Sequence, residues 1–317
     1  MSDTLLETIT FPFKGKSTKE ELGRYEYNRW VLTNKYEKTI QACDKLGKLE
    51  IEILKGFDIY SDLFSFFTNR PEISEITIEK IKIPALSIIE LKNIADTAKK
   101  LLKGLNISKS GIASGIAAVG GVTAVNTASI IPINNAFNND TDIVNTTMAT
   151  LENKKLTSNG TDIIYGSIVL PIVACTLGAL FGFVVYKFWS NAVAKQKFFE
   201  DLPKYQNKMK ESYRSLDIIE SCSNEYYSVL ESVNNKYQEE LCKLGYVVLK
   251  LQKNDWNNFS VDERKCAENC TLLTGLLHTM CKLELTQKNP DHPETNKANV
   301  NGVKDNIALA EDILKNL

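Results

Sequence analysis

Residues 205–251, YQNKMKESYRSLDIIESCSNEYYSVLESVNNKYQEELCKLGYVVLKL, align Tyr205, Met209, Tyr213, Leu216, Ile219, Cys222, Tyr226, Leu230, Val233, Tyr237, Leu241, Leu244, Val248 and Leu251 in one series. These fourteen residues span 46 positions, a mean step of 3.54. A straight helix repeats every 3.6 residues and a coiled-coil seam every 3.5, so the spacing predicts one long helix with a single apolar stripe. At ~1.5 Å per residue this rod is about 70 Å long. Its stripe has to be covered by other helices of the chain.

Upstream, Ser17-Thr18-Lys19-Glu20 has the form of a capping box, with a hydroxyl for an orphan amide and a carboxylate reaching back. The helix it starts carries Leu22, Tyr25, Leu32, Tyr36, Ile40, Cys43, Leu46, Leu49, Ile53, Phe57, Tyr60, Phe64 and Phe67 at steps of mostly three or four, and Pro71 ends it. A second helix is expected from near Ile73 through Ile76, Ile83, Ile88, Leu91, Ile94, Ala98 and Leu102, with Pro84 capping or kinking it. Downstream, Ser260-Val261-Asp262-Glu263 is another capping box, followed by Leu272, Leu273, Leu276, Leu277, Met280 and Leu283. The tail reads as a loop from Asn289 to Glu294 and a short helix over residues 303–317. Strand alternation is weak everywhere outside Thr8-Ile9-Thr10-Phe11. The chain therefore reads as all-α, an elongated bundle of long coiled-coil-like helices around a central hydrophobic hairpin.

Composition narrows the function. The 317 residues are 43% hydrophobic and 24% charged with a net charge of -1, which gives a globular chain with no bulk field for nucleic acid. The first residues, Met1-Ser2-Asp3-Thr4-Leu5-Leu6-Glu7, lack the basic region and apolar run of a secretory signal. Seven cysteines, an odd number scattered through helical pattern, are expected to be small buried apolar residues in a reducing compartment. Two histidines leave little material for acid–base chemistry, so no enzyme and no cofactor are expected. No metal site is expected either: Cys266 and Cys281 on one helix would stand about 22 Å apart, too far to share a tetrahedral ion with Cys270 and His278. Gly15-Lys16-Ser17-Thr18 has the end of a phosphate-binding loop without its first glycine or its strand–helix context.

The centre differs from both flanks. Residues 163–186 hold 24 side chains without Asp, Glu, Lys, Arg or His, 18 of them apolar, enough to span a bilayer. Residues 110–139 are also uncharged but rich in Gly, Ser, Thr and Asn. The residues expected to enter the membrane are Ile112, Ile116, Val119 and Val122 in the first arm and Ile168, Val169, Leu170, Leu177, Leu180, Phe181, Phe183 and Val184 in the second. Gly111 and Gly115, and Gly178 and Gly182, give small-residue faces on which the arms would pack, and Tyr186, Lys187 and Trp189 would anchor at the interface. Lys99, Lys100, Lys103 and Lys109 precede the hairpin and Lys187, Lys195 and Lys197 follow it. The connecting segment carries Asp140, Asp142, Glu152 and Asp162 against Lys154 and Lys155, so both long arms belong on one side of a membrane. Its three Asn-x-Thr triplets, at Asn139, Asn145 and Asn159, matter only in a secretory lumen.

Three readings of the centre remain open: a buried core helix, a resident two-pass membrane protein with cytosolic coiled-coil arms serving as scaffold or sensor, and a soluble protein that hides the hairpin and later inserts it. Long helices on either side of one apolar hairpin, without a signal peptide, resemble the α-pore-forming toxins of the cytolysin A (haemolysin E) type and their multi-component relatives. A weaker similarity, carried by Gly111-Ile112-Ala113-Ser114-Gly115, is to apolipoprotein-L-like proteins. The chain divides into an N-terminal segment at 1–16, stalk helices at 17–109 and 187–286, a membrane-inserting head at 110–186, and a C-terminal loop and helix at 287–317; the first resemblance maps its head onto Gly111–Ile133 and Ile163–Tyr186 and its stalk onto the helices around them, and has no counterpart for the tail. That resemblance also implies release from the cytoplasm to a target lipid bilayer, and assembly into a homo-oligomer or with a companion component.

Overall fold

A computed structural model describes residues 18–71, 83, 85–105, 156–158, 161–163, 192–288 and 296–317. The described chain is mostly helical. Its first helix, α1, covers Thr18–Lys55, and α2 follows at Phe57–Ser65. The sequence predicts one helix here, but Gly56 divides it: its N–H donates to the carbonyls of Glu52 and Ile53, and the axis restarts one residue later. Helical structure stops at Ser65 rather than Pro71, and Asn69 takes a φ of 53°, a left-handed conformation that Asn tolerates. Ser17 and the Thr8–Phe11 stretch lie outside the described residues.

Helix α3, Ile88–Leu105, starts later than the expected position near Ile73. Ser87 and Glu90 form the cap: the Glu90 N–H donates to Ser87 Oγ at 3.3 Å, and the Ser87 N–H donates to Glu90 Oε2 at 2.8 Å. Ile83 and Leu86 are buried without being helical, so their apolar spacing reports burial and not a helix. Residues 72–82 and 84 lie outside the described residues.

The decisive stripe lies on α4, Ala192–Gly245, which starts before the predicted Tyr205 and runs through Pro203. At ~1.5 Å per residue its 54 residues reach about 80 Å. Met209, Tyr226, Leu230, Val233, Tyr237 and Leu244 are almost wholly buried. The stripe ends earlier than predicted. Over Tyr246–Lys250 the helix widens to a π-turn, in which the Leu251 N–H donates to Tyr246 O. That extra residue turns both Val247 and Val248 inward and leaves Leu251 45% exposed.

Helix α5, Val261–Cys281, begins at the predicted capping box, with Glu263 N–H on Ser260 Oγ at 3.2 Å and Ser260 N–H on Glu263 Oε2 at 2.7 Å. It is buried on nearly every side, from Cys266 and Ala267 to Met280 and Cys281. Two short antiparallel strand pairs correct the expectation of weak strand signal: β1, Leu156–Ser158, with β2, Thr161–Ile163, and β3, Thr286–Lys288, with β4, Asn296–Ala298. The second pair flanks the expected loop at 289–294, which lies outside the described residues. Helix α6, Val300–Asn316, begins three residues before the predicted Val303 because Asn299 Oδ1 accepts the Gly302 N–H at 3.1 Å.

Side-chain pairs fix the helix directions. Thr39 Oγ1 donates to Leu216 O at 3.2 Å, Lys35 pairs with Glu220 at 2.8 Å, and the Phe57 and Tyr237 rings lie 6.3 Å apart. From α1 into α2 the offset stays near 180 residues, so both run parallel to α4. Cys266 at Glu240 and Tyr226 at Met280 make α5 antiparallel to α4. Asp58 with Lys99 and Asp62 with Lys92 make α3 antiparallel to α2. Val303, Ile307, Ala310 and Ile313 of α6 join the same core, and α6 packs on α4.

Candidate functional site

The site predicted from sequence sits between α3 and α4. Helix α3 hands the chain on at Leu105 and α4 takes it up at Ala192. The membrane-inserting, packing and anchoring candidates between 111 and 122 and between 168 and 189 lie outside the described residues, as do the flanking Lys109 and the triplets at Asn139 and Asn145. Among the described residues no helix is long and apolar enough to cross a membrane.

One part of the connecting segment is described. Leu156 faces Ile163, Thr157 faces Asp162 and Ser158 faces Thr161 in an antiparallel ladder. Ile163, the first residue of the uncharged run, thus belongs to a strand. The sequence between the strands, Asn159-Gly160, is the dipeptide most favoured in two-residue hairpin loops, and it was a readable signal.

The polar groups that sequence reasoning missed lie at helix contacts. Lys35 of α1 reaches Asp217 and Glu220 of α4, and its ammonium sits 5.5 Å from the centre of the Tyr213 ring. Burial opposes that charge, but the two carboxylates more than restore it and raise the pKa of Lys35. On α4, Glu240 Oε1 meets Lys243 at 2.8 Å and Lys236 at 3.3 Å, while Asn269 Nδ2 of α5 donates to Oε2 at 3.3 Å. Burial works against ionisation of Glu240, yet these hydrogen bonds hold its carboxyl below the usual range. Each cluster ties two helices together.

The cysteines behave as packing residues. Cys43, Cys222, Cys266, Cys270 and Cys281 are buried, and only Cys242 of the six described is exposed. Burial pushes the Cys43 thiol up to about 12 and the Cys270 and Cys281 thiols well above their ordinary value. The Cys266 thiol donates to Glu240 O at 3.2 Å. Among the described residues no group of three or more His, Cys, Asp or Glu side chains is placed to hold a metal ion. Comparison with protein-family models, curated proteins and solved structures finds no match for this chain.

Proposed function

We propose that the chain is a membrane-inserting, pore-forming protein: an elongated helical bundle of coiled-coil-like stalks whose head, residues 110–186, enters a target bilayer and oligomerises, alone or with a companion component. The observation that carries this is the uncharged run at 163–186, long enough for hydrocarbon and without a charge to neutralise. Two long helices, α3 leading into the segment and α4 leading out of it, support a stalk-and-head layout. Exposed large apolar side chains on the described surface, among them the Tyr27 and Trp30 rings at 6.0 Å, support contact between chains.

The mechanism is a change of cover. In water the head is sheltered by protein; at a membrane, lipid takes over that role, and transfer of the apolar arms offsets the lost packing. Backbone groups entering hydrocarbon must be paired internally, which helices or a closed sheet both achieve. The test is dye release from liposomes by purified protein, with Leu177→Arg as the variant. A charge at mid-membrane costs about 2.5–3.5 kcal/mol, so release should fall by roughly two orders of magnitude. Equal release from both proteins would defeat the proposal, and a requirement for detergent from synthesis onward would favour a resident two-pass membrane protein.

A further inference from the structure

Large apolar side chains stand in water at one end of the helical core. Phe66 follows the last turn of α2, Ile89 opens α3, Tyr246, Leu249 and Leu251 belong to the π-turn that closes α4 and to its cap, and Val261 opens α5. These six are 45 to 83% exposed. The backbone gathers them. Thr68 N–H donates to Asn254 O at 2.6 Å and Trp256 N–H to Thr68 O at 3.0 Å, which ties the turn after α2 to the turn after α4. Ser61 Oγ of α2 donates to Ile88 O at 3.4 Å, and Arg264 of α5 reaches Asn257 O at 3.1 Å.

Single exposed apolar residues are ordinary on a protein surface; six at one end are not. Their display is firm. Beneath them the rings of Phe64, Phe67, Trp256 and Phe259 pack with centres 5.1 to 6.0 Å apart. The patch is also narrower than a stable protein interface, which takes about 20–30 residues a side. The surrounding charges favour an anionic partner. Asp255 is taken by the Asn257 N–H and the Asn69 amide, Glu263 by Lys253 and Ser260, Glu90 by Ser87, and Asp62 by Lys92. Arg70, Lys250, Arg264 and Lys265 have no ion pair among the described residues, and Asp262 is the one carboxylate of these turns in the same position. Lys250 stands between Leu249 and Leu251, a sequence in which aliphatic groups can enter the acyl boundary while the ammonium stays among headgroups.

We infer that this end of the bundle docks on the surface of an anionic bilayer, its apolar side chains entering the headgroup boundary and Lys250 and Arg70 meeting the lipid anions. The surface is separate from residues 110–186 and goes beyond the pore-forming reading: docking here does not require the head to insert.

The test is flotation of the full chain with phosphatidylcholine vesicles, with and without an equal part of phosphatidylserine. Every protein in this arm carries Leu177→Arg, so that the proposed head contributes equally. The Leu177→Arg protein is expected to float with the anionic vesicles. Adding Leu249→Ser with Val261→Ser should weaken binding by about ten-fold or more. Adding Lys250→Gln should weaken it about five-fold, on the anionic vesicles only. Absence of binding, or equal binding by all three proteins, overturns the proposal. A lowered urea midpoint in the Leu249→Ser, Val261→Ser protein also overturns it, because the patch would then be covered by the chain itself. So does a parent that sediments as a dimer while that variant is monomeric, since the patch would then belong to a second copy. Dye release is read separately on the chain with native Leu177: docking without release defeats the pore-forming reading and leaves this proposal standing.

Discussion

Cys242 sits on the exposed side of α4, one residue from the buried Leu241, while five other described cysteines are enclosed. Thiolate, the reactive form, has to be reached through water, and burial denies that access to the enclosed five. Brief treatment of native protein with a maleimide, read by peptide mass spectrometry, should therefore label Cys242 and spare Cys43, Cys222, Cys266, Cys270 and Cys281. Rapid labelling of Cys270 would show that α5 is not seated as described. The apolar stripe residues were legible in the sequence, because a one-dimensional period reports which side of a helix is covered. Lys35 and Glu240 were not, because their significance depends on what another helix, tens or hundreds of residues away, places opposite them.

At the scale of elements, Ser260 and Glu263 were readable because a capping box is local: both partners lie within four residues. Ser260→Ala removes the hydroxyl that receives an orphan amide and should cost about 1 kcal/mol, measured as a shift in urea midpoint with unchanged slope. Truncating the helix interior costs more: Leu276→Ala leaves a void in a helix surrounded by protein and should lose about 2–5 kcal/mol on the same measurement. The start of α3 was hidden because Ile83 and Leu86 continue the apolar spacing through a segment that is buried yet not helical. Gly56 and the π-turn at 246–250 were hidden for a related reason, since one interrupted or inserted residue barely changes a period averaged over dozens. Strands of three residues are too short to alternate visibly.

For the whole molecule, the sequence indicated helices that needed mutual cover but not their directions, because an apolar stripe looks the same read either way. The tail illustrates the limit. Residues 287–317 looked like an appendage, whereas Val303, Ile307, Ala310 and Ile313 lie within the core formed with α4. A chain ended after Lys288 should melt about 5 °C or more below the full chain and bind more of an apolar dye. Unchanged melting would mean that α6 contributes nothing to the fold.

The parallel course of α1 and α4 has a consequence for biosynthesis. Their contacts join residues roughly 180 apart, such as Lys35 with Asp217 and Thr39 with Leu216. At about 5–20 residues per second, a ribosome that has finished α1 needs roughly ten to forty seconds more before its mate emerges. During that interval the side of α1 that meets α4, with Lys35, Thr39 and Cys43, lacks its permanent neighbour, and the greasiest part of the chain is translated before the helix that completes the core. Nascent chains should accordingly depend on chaperone holding throughout the middle of translation and be released from it only once α4 has cleared the exit tunnel.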